Sequence, residues 1–136
     1  MLKVIVGSKG SGKTARLVDD LNMHAMNDAN NVVCIEAGRR LDRMVKYQIR
    51  LTDITEYPVR GYRELLSFIA GISAKDYDIT HLYIDSIYKV SGDEDPERLA
   101  VFLHDLDAFA RKDNFHVMII LSADPEDLPE GVRRYC

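Results

Sequence analysis

Leu2-Lys3-Val4-Ile5-Val6-Gly7-Ser8-Lys9-Gly10-Ser11-Gly12-Lys13-Thr14 runs from a short β-branched apolar segment straight into a glycine-rich loop. Leu2–Val6 reads as a strand buried on both faces and stopped by Gly7. From Lys13 to about Asn27, the residues Leu17, Val18, Leu21 and Ala25 recur at helical spacing. The loop between strand and helix fits G-x-x-x-x-G-K-[ST] at every fixed position: Gly7, Gly12, Lys13 and Thr14, with Ser8, Lys9, Gly10 and Ser11 in between. Glycines reach backbone angles closed to other residues, so successive N–H groups can turn toward one phosphate. The helix that starts near Lys13 adds the positive end of its dipole. In such a loop the lysine reaches the β- and γ-phosphates and the Thr14 hydroxyl ligates Mg²⁺. A nucleoside triphosphate with magnesium is the expected ligand. The competing reading of the same residues is a glycine-rich turn that binds nothing.

Working outward, apolar runs and helical spacings alternate. Asp28–Asn31 breaks the first helix, and Val32–Ile35 is a second strand ended by Gly38. Arg39–Arg50 has helical periodicity, with Leu41, Met44 and Val45 on one face and Arg39, Arg43, Lys46 and Arg50 on the other. Thr52–Tyr57 reads as a weaker strand that Pro58 ends. Gly61–Ile72 is helical, and His81–Ile84 is a strand with Asp85 at its tip. Ser91–Asp95 is an acidic loop that reads as solvated. Asp95 followed by Pro96 is a helix start, an N-cap and then proline at the first position. Leu99, Phe102, Leu103, Leu106 and Phe109 make that helix's buried stripe. Val117–Leu121 is a continuous apolar strand, Asp124-Pro125 a single helical turn, and Val132–Tyr135 a last short strand. Strands alternating with helices predict an α/β fold with a mainly parallel sheet, three layers deep.

The bulk numbers suit that class. A chain of 136 residues, 46% hydrophobic and 29% charged, is sized for one domain over residues 1–136. Eighteen basic against twenty-two acidic side chains leave a net charge of −4, which argues against whole-surface attraction to nucleic acid. Two cysteines, Cys34 in an apolar strand and Cys136 at the end, suggest neither a disulfide nor a zinc site. The four histidines show no ligand spacing. No apolar stretch approaches the ~20 residues of a membrane helix, and the opening residues lack the layout of a signal peptide. The expectation is a cytoplasmic protein with no membrane insertion.

A bound triphosphate needs its magnesium held, and hydrophobic strands ending in Asp do this in phosphate-loop proteins. Leu82-Tyr83-Ile84-Asp85 has that form, and Asp85 is expected to accept from magnesium-bound water or to pair with Thr14; alternatively it is a solvated or helix-capping Asp. With Ser86 and Ile87 the run resembles the Walker B strand of RecA-like ATPases, the group of RecA, RadA and KaiC. Val33-Cys34-Ile35-Glu36-Ala37-Gly38-Arg39-Arg40-Leu41-Asp42 also resembles that group's second strand and its exit. The resemblance implies a P-loop NTPase fold whose sheet runs Thr52 strand, Val32 strand, Leu82 strand, Val117 strand, Leu2 strand, and then the last short strand. It places Ser122 at the polar position that senses the γ-phosphate, where the competing reading is an ordinary strand-end hydroxyl.

The resemblance lapses at one point. In RecA-like enzymes a water-orienting glutamate stands two residues past the acidic residue matched by Glu36, and here that position is Gly38. Ser86, directly after Asp85, is no carboxylate either. Glu36 has the right chemistry and strand parity for catalysis, but equally suits a structural pairing with Arg39 or Arg40; Asp42 is a more distant choice. Three functions therefore stay open. One is a Mg-ATP-binding domain, a weak or assembly-dependent ATPase working as a homo-oligomer or within a larger machine. Another is a nucleotide-responsive switch without hydrolysis. The last is a small nucleoside or nucleotide kinase, a class in which the Walker B strand usually adjoins the phosphate-loop strand. The absence of an N-K-x-D run leans away from guanine. Arg39, Arg40, Arg43, Lys46 and Arg50 could touch phosphates in this subunit or a neighbour's, or meet nucleic acid, though a solvated face is the commoner fate of such a stripe.

Overall fold

The computed structural model describes residues 1–76 and 78–136. Its elements in chain order are β1 (Leu2–Gly7), α1 (Lys13–Ala25), β2 (Val32–Glu36), β3 (Arg50–Asp53), α2 (Gly61–Asp76), β4 (His81–Ile84), α3 (Ile87–Ser91), α4 (Pro96–Asp113), β5 (His116–Ser122) and α5 (Glu130–Arg133). Single 3₁₀ turns occupy Ile54–Glu56 and Pro125–Asp127. The strands form one parallel sheet in the order β1-β5-β4-β2-β3. This is the order that the resemblance implied for five of its six strands. Because every strand points the same way, Gly7, Glu36, Asp53, Asp85 and Ser122 all gather at the carboxyl edge. Ligands of open α/β sheets bind along that edge.

The strands are short apolar runs because both faces of the sheet are covered. Odd and even positions part cleanly. Val4, Val33, Ile35, Leu82, Ile84, Val117, Ile119 and Leu121 face the layer of α2, α3, α4 and α5. Ile5, Val32, Cys34, Tyr83 and Ile120 face α1 together with Leu41 and Ile49. Leu17 and Leu21 from α1, and Leu65, Leu99, Leu103 and Leu106 from α2 and α4, are fully buried. Each such side chain contributes about 1.5–3 kcal/mol by leaving water. Among the described residues no helix is long and apolar enough to cross a membrane.

Several expectations need correction. Arg39–Arg50 is not a helix but a run of turns leading into β3, with only Leu41 and Ile49 buried as anchors. Competing side chains explain it. The Glu36 carboxylate accepts from the N–H groups of Arg40 and Leu41, which a helix would leave free, and fixes only where the run begins. Asn22 of α1 then pins the far side, accepting from the Lys46 N–H at 2.9 Å and donating to the Met44 carbonyl at 2.9 Å. Separate turns survive, one closed by the Leu41 carbonyl and one by the Lys46 carbonyl, with no continuous ladder between them. β3 starts at Arg50 and stops at Asp53, because the Asp53 carboxylate accepts from the Thr55 and Gly38 N–H groups and turns the chain.

The C-terminal segment is also helical, not a strand. Pro129 starts one turn, and its carbonyl receives the N–H groups of Val132 and Arg133. The Tyr135 carbonyl then accepts from the Val4 N–H at 2.8 Å, a single bond along the open edge of β1. Nor is the acidic loop simply solvated. Arg98 grips Asp93 at 2.6 and 3.0 Å and Asp95 at 2.9 Å, while the Tyr62 hydroxyl donates to the Asp93 carbonyl.

Candidate functional site

The loop leaving β1 turns at Gly10 (φ 77°) and Gly12 (φ 85°), both in the left-handed region that a Cβ disfavours. Gly12 is the residue before α1, and no side chain caps that helix. Its first turn contains no acid either, so the dipole and free N–H groups meet only the loop. Lys13 is 8% exposed and bends back over the loop, donating to the Ser8 carbonyl at 2.6 Å, with the Ser11 hydroxyl at 3.4 Å. The Ser11 hydroxyl itself donates to the Ser8 carbonyl at 2.7 Å. The ammonium is thus held by weak neutral acceptors beside the mouth of the loop.

Asp85 comes to the same place from the tip of β4. Its side chain is wholly buried, and Oδ1 accepts from the Thr14 hydroxyl at 3.2 Å. Oδ2 has no hydrogen-bond partner within the protein. The Arg40 guanidinium stands 3.5 Å from it. A hydroxyl and a carboxylate, with one buried oxygen unsatisfied, form a hard oxygen donor set of the kind magnesium prefers. Ser122 ends β5 in register with Gly7 and lines the same cavity, so the four sequence candidates Lys13, Thr14, Asp85 and Ser122 converge. That cavity, about 930 Å³, is lined by Lys9, Lys13, Arg40 and Lys89, with Glu94 as the opposing charge.

Neither a protein-family model nor a curated protein matches the sequence. Among solved structures the chain resembles a KaiC-like protein from the hyperthermophilic archaeon Pyrococcus horikoshii, with a TM-score of 0.72 over 98% of this chain. The fold is of the RecA type. At 17% identity the likeness is one of fold, and the chain spans 66% of that relative's length.

Within this RecA-type fold Glu36 sits apart from the cavity beside the Gly7–Thr14 loop. It is 1% exposed, with Oε1 accepting from the Arg40 N–H at 3.1 Å and Oε2 from the Leu41 N–H at 3.3 Å. Burial raises its pKa above the usual carboxylate range, opposed by those two donors. Glu36 lines a separate small hollow with Gly38, Arg39 and Asp53. Gly38 adopts φ 102° and donates its N–H to Asp53 at 2.8 Å. The basic residues do not form one face. Arg39 pairs with Glu56 and Asp42, Arg40 faces Asp85, and Arg50 reaches Asp78 at 3.6 Å.

Sequence reasoning missed two groupings. Tyr88 and Lys89 of α3 form a wall of the cavity opposite the loop. α3 follows the Asp85 tip directly, through Ser86 at φ 60°, and no sequence pattern marked it. The other grouping joins three histidines at the opposite edge of the RecA-type sheet. His24 stacks on His81 with centroids 4.1 Å apart, and His81 lies 5.2 Å from His116. His81 and His116 are register partners at the starts of β4 and β5, a proximity that only the strand order reveals. Among the described residues no group of three or more His, Cys, Asp and Glu could hold a metal ion.

Proposed function

We propose that this chain binds a magnesium nucleoside triphosphate, ATP in the first instance, at the loop Gly7–Thr14, with Lys13 on the phosphates and Thr14 and Asp85 holding the metal. One observation carries it: a buried, half-satisfied carboxylate meets the Thr14 hydroxyl at 3.2 Å beside an uncapped helix N-terminus, although Thr14 and Asp85 lie far apart in sequence. Magnesium commonly takes one or two protein oxygens and completes its shell with phosphate and water. Two protein oxygen donors at this point match that habit. When bound, the ion would neutralise charge on the phosphates, and Ser122 would lie near the terminal one.

Two further features favour binding over rapid turnover by the chain alone. Gly38 and Ser86 carry no carboxylate, and Glu36 spends both oxygens on backbone N–H groups. Hydrolysis would then depend on assembly with a neighbour, and a nucleotide-responsive switch is the simplest description of the lone chain. The kinase alternative is weakened by β5, which lies between β1 and β4.

Calorimetric titration of ATP and GTP, each with Mg²⁺, into wild type and Lys13→Ala tests this. Wild type should bind saturably. The alanine variant should bind about tenfold or more weakly, since a charge-assisted hydrogen bond is worth ~1.5–3 kcal/mol. Phosphate release from the same samples should be slow without a partner. No binding by folded wild-type protein would overturn the proposal.

A further inference from the structure

A buried carboxylate is costly unless charge and hydrogen bonds compensate it. The Asp85 side chain has no solvent exposure, and its Oδ2 makes no hydrogen bond. The Arg40 guanidinium, at 3.5 Å, is close enough for attraction but too far for a good hydrogen bond. Arg40 is a hybrid of fixed and free parts. Its backbone N–H is fixed by Glu36, and the next residue, Leu41, is fully buried. Its side chain is 58% exposed and lines the cavity that also holds Lys13 and Thr14. A long cation pivots on a pinned backbone, at the boundary between Asp85 and the phosphate-loop cavity.

We propose that Arg40 reads the terminal phosphate: its guanidinium covers Asp85, and it moves onto the γ-phosphate when Asp85 exchanges it for magnesium. This rests on the magnesium-triphosphate reading of the loop given above. A divalent ion beside Asp85 repels a guanidinium at this distance. The side chain is already half in solvent, so leaving Asp85 requires little further desolvation. The planar fork of arginine fits two oxygens of a phosphate, which a lysine ammonium cannot do. Glu36 is then a positioning residue, since it fixes the pivot from which Arg40 swings. Two properties follow. Arg40 makes the site prefer triphosphate over diphosphate, and it suppresses binding of a bare divalent cation at Asp85.

The test uses wild type, Arg40→Ala and Arg40→Lys, with circular-dichroism melts to verify folding. Calorimetry measures the affinities for Mg·ATP and Mg·ADP, and electron paramagnetic resonance follows Mn²⁺ alone. Arg40→Ala should lower the ATP-to-ADP preference about tenfold or more, through loss of a charge-assisted contact to the terminal phosphate. It should also bind Mn²⁺ alone more tightly than wild type does. Arg40→Lys keeps the charge and stem but loses the fork, so its preference should fall between the two, and it replaces the alanine variant should that one not fold. A wild type that binds ATP, with an unchanged ATP-to-ADP ratio in the variants, overturns the role of Arg40 and leaves the phosphate-loop reading intact. Mn²⁺ binding that does not tighten in Arg40→Ala overturns the covering of Asp85. Folded wild type that binds neither nucleotide overturns both readings together.

Discussion

The resemblance to RecA-like ATPases would put a water-orienting glutamate at Gly38, and the backbone at that position disfavours a side chain. At φ 102° the residue lies outside the range that L side chains adopt comfortably, although no atom would crowd an added Cβ. Gly38→Glu should therefore destabilise the fold by about 1–3 kcal/mol, and it should not raise phosphate release. Denaturant titration checks the first part; equal or greater stability in the variant would show that the turn tolerates a side chain. The same local logic decides what was legible at this scale. The strand–loop–helix around Gly7–Thr14 could be read because all its determinants are contiguous. The pairing of Asp85 with Thr14 could be read because a strand-tip acid follows an apolar run. The use of Glu36 as a backbone anchor could not, because both its donors lie in a segment whose own path was misjudged. Nor could the position of Arg40 against Asp85, a pairing across two strands and one α-helix of intervening chain.

Elements were legible where burial alone sets them. The four apolar runs became β1, β2, β4 and β5, and the stripe beginning at Leu99 became α4, capped by Asp95 as its sequence indicates. The failures were segments whose periodicity was right but whose backbone had better offers. Residues 39–50 satisfy helical spacing, yet Asn22 takes the Lys46 N–H and the Met44 carbonyl that a continuing helix would need. Val132–Tyr135 offers apolar and aromatic residues of strand character, but Pro129 commits the chain to a turn first. The packing of α5 yields a test. A Cβ on Gly131 would lie 2.8 Å from the Ala100 Cβ of α4, and neither atom belongs to a flexible side chain. Gly131→Ala should destabilise by about 1–3 kcal/mol through overpacking. Ala100→Gly in the same molecule should recover part of that loss, so the two changes should not add. Additive effects in a double-mutant cycle would mean that the helices do not meet there.

Across the whole molecule the parallel sheet separates two kinds of chemistry. The carboxyl edge collects the loop, Asp85 and Ser122, while the amino edge holds the stack of His24, His81 and His116 with Asp20 close by. The class of sheet was legible from alternation of elements, and its strand order from family resemblance. The histidine stack was not, because nothing in the spacing of 24, 81 and 116 hints that strand register unites two of them. Burial, followed by repulsion from the other two histidines, pushes His81 from 6.5 down to about 4, with Asp20 opposing. Between those values the unfolded chain takes up a proton that the folded chain refuses. The stabilisation is therefore full above about pH 6.5 and is lost as pH falls through about 4. Glu36, whose pKa is raised, acts with the opposite sign, so one melting curve is not diagnostic. His81→Gln should be the less stable protein at pH 7 but should close the gap to wild type on acidification, measured as paired melting temperatures from pH 7 to 4. A gap that stays constant would show that His81 does not titrate on unfolding. β5 alone, seven residues long, spans roughly 20 Å between these two ends, well beyond the ~8 Å over which salt screens exposed charge. Acid tolerance and the phosphate binding proposed above are consequently expected to be separable, each altered by substitution at one end without retuning the other.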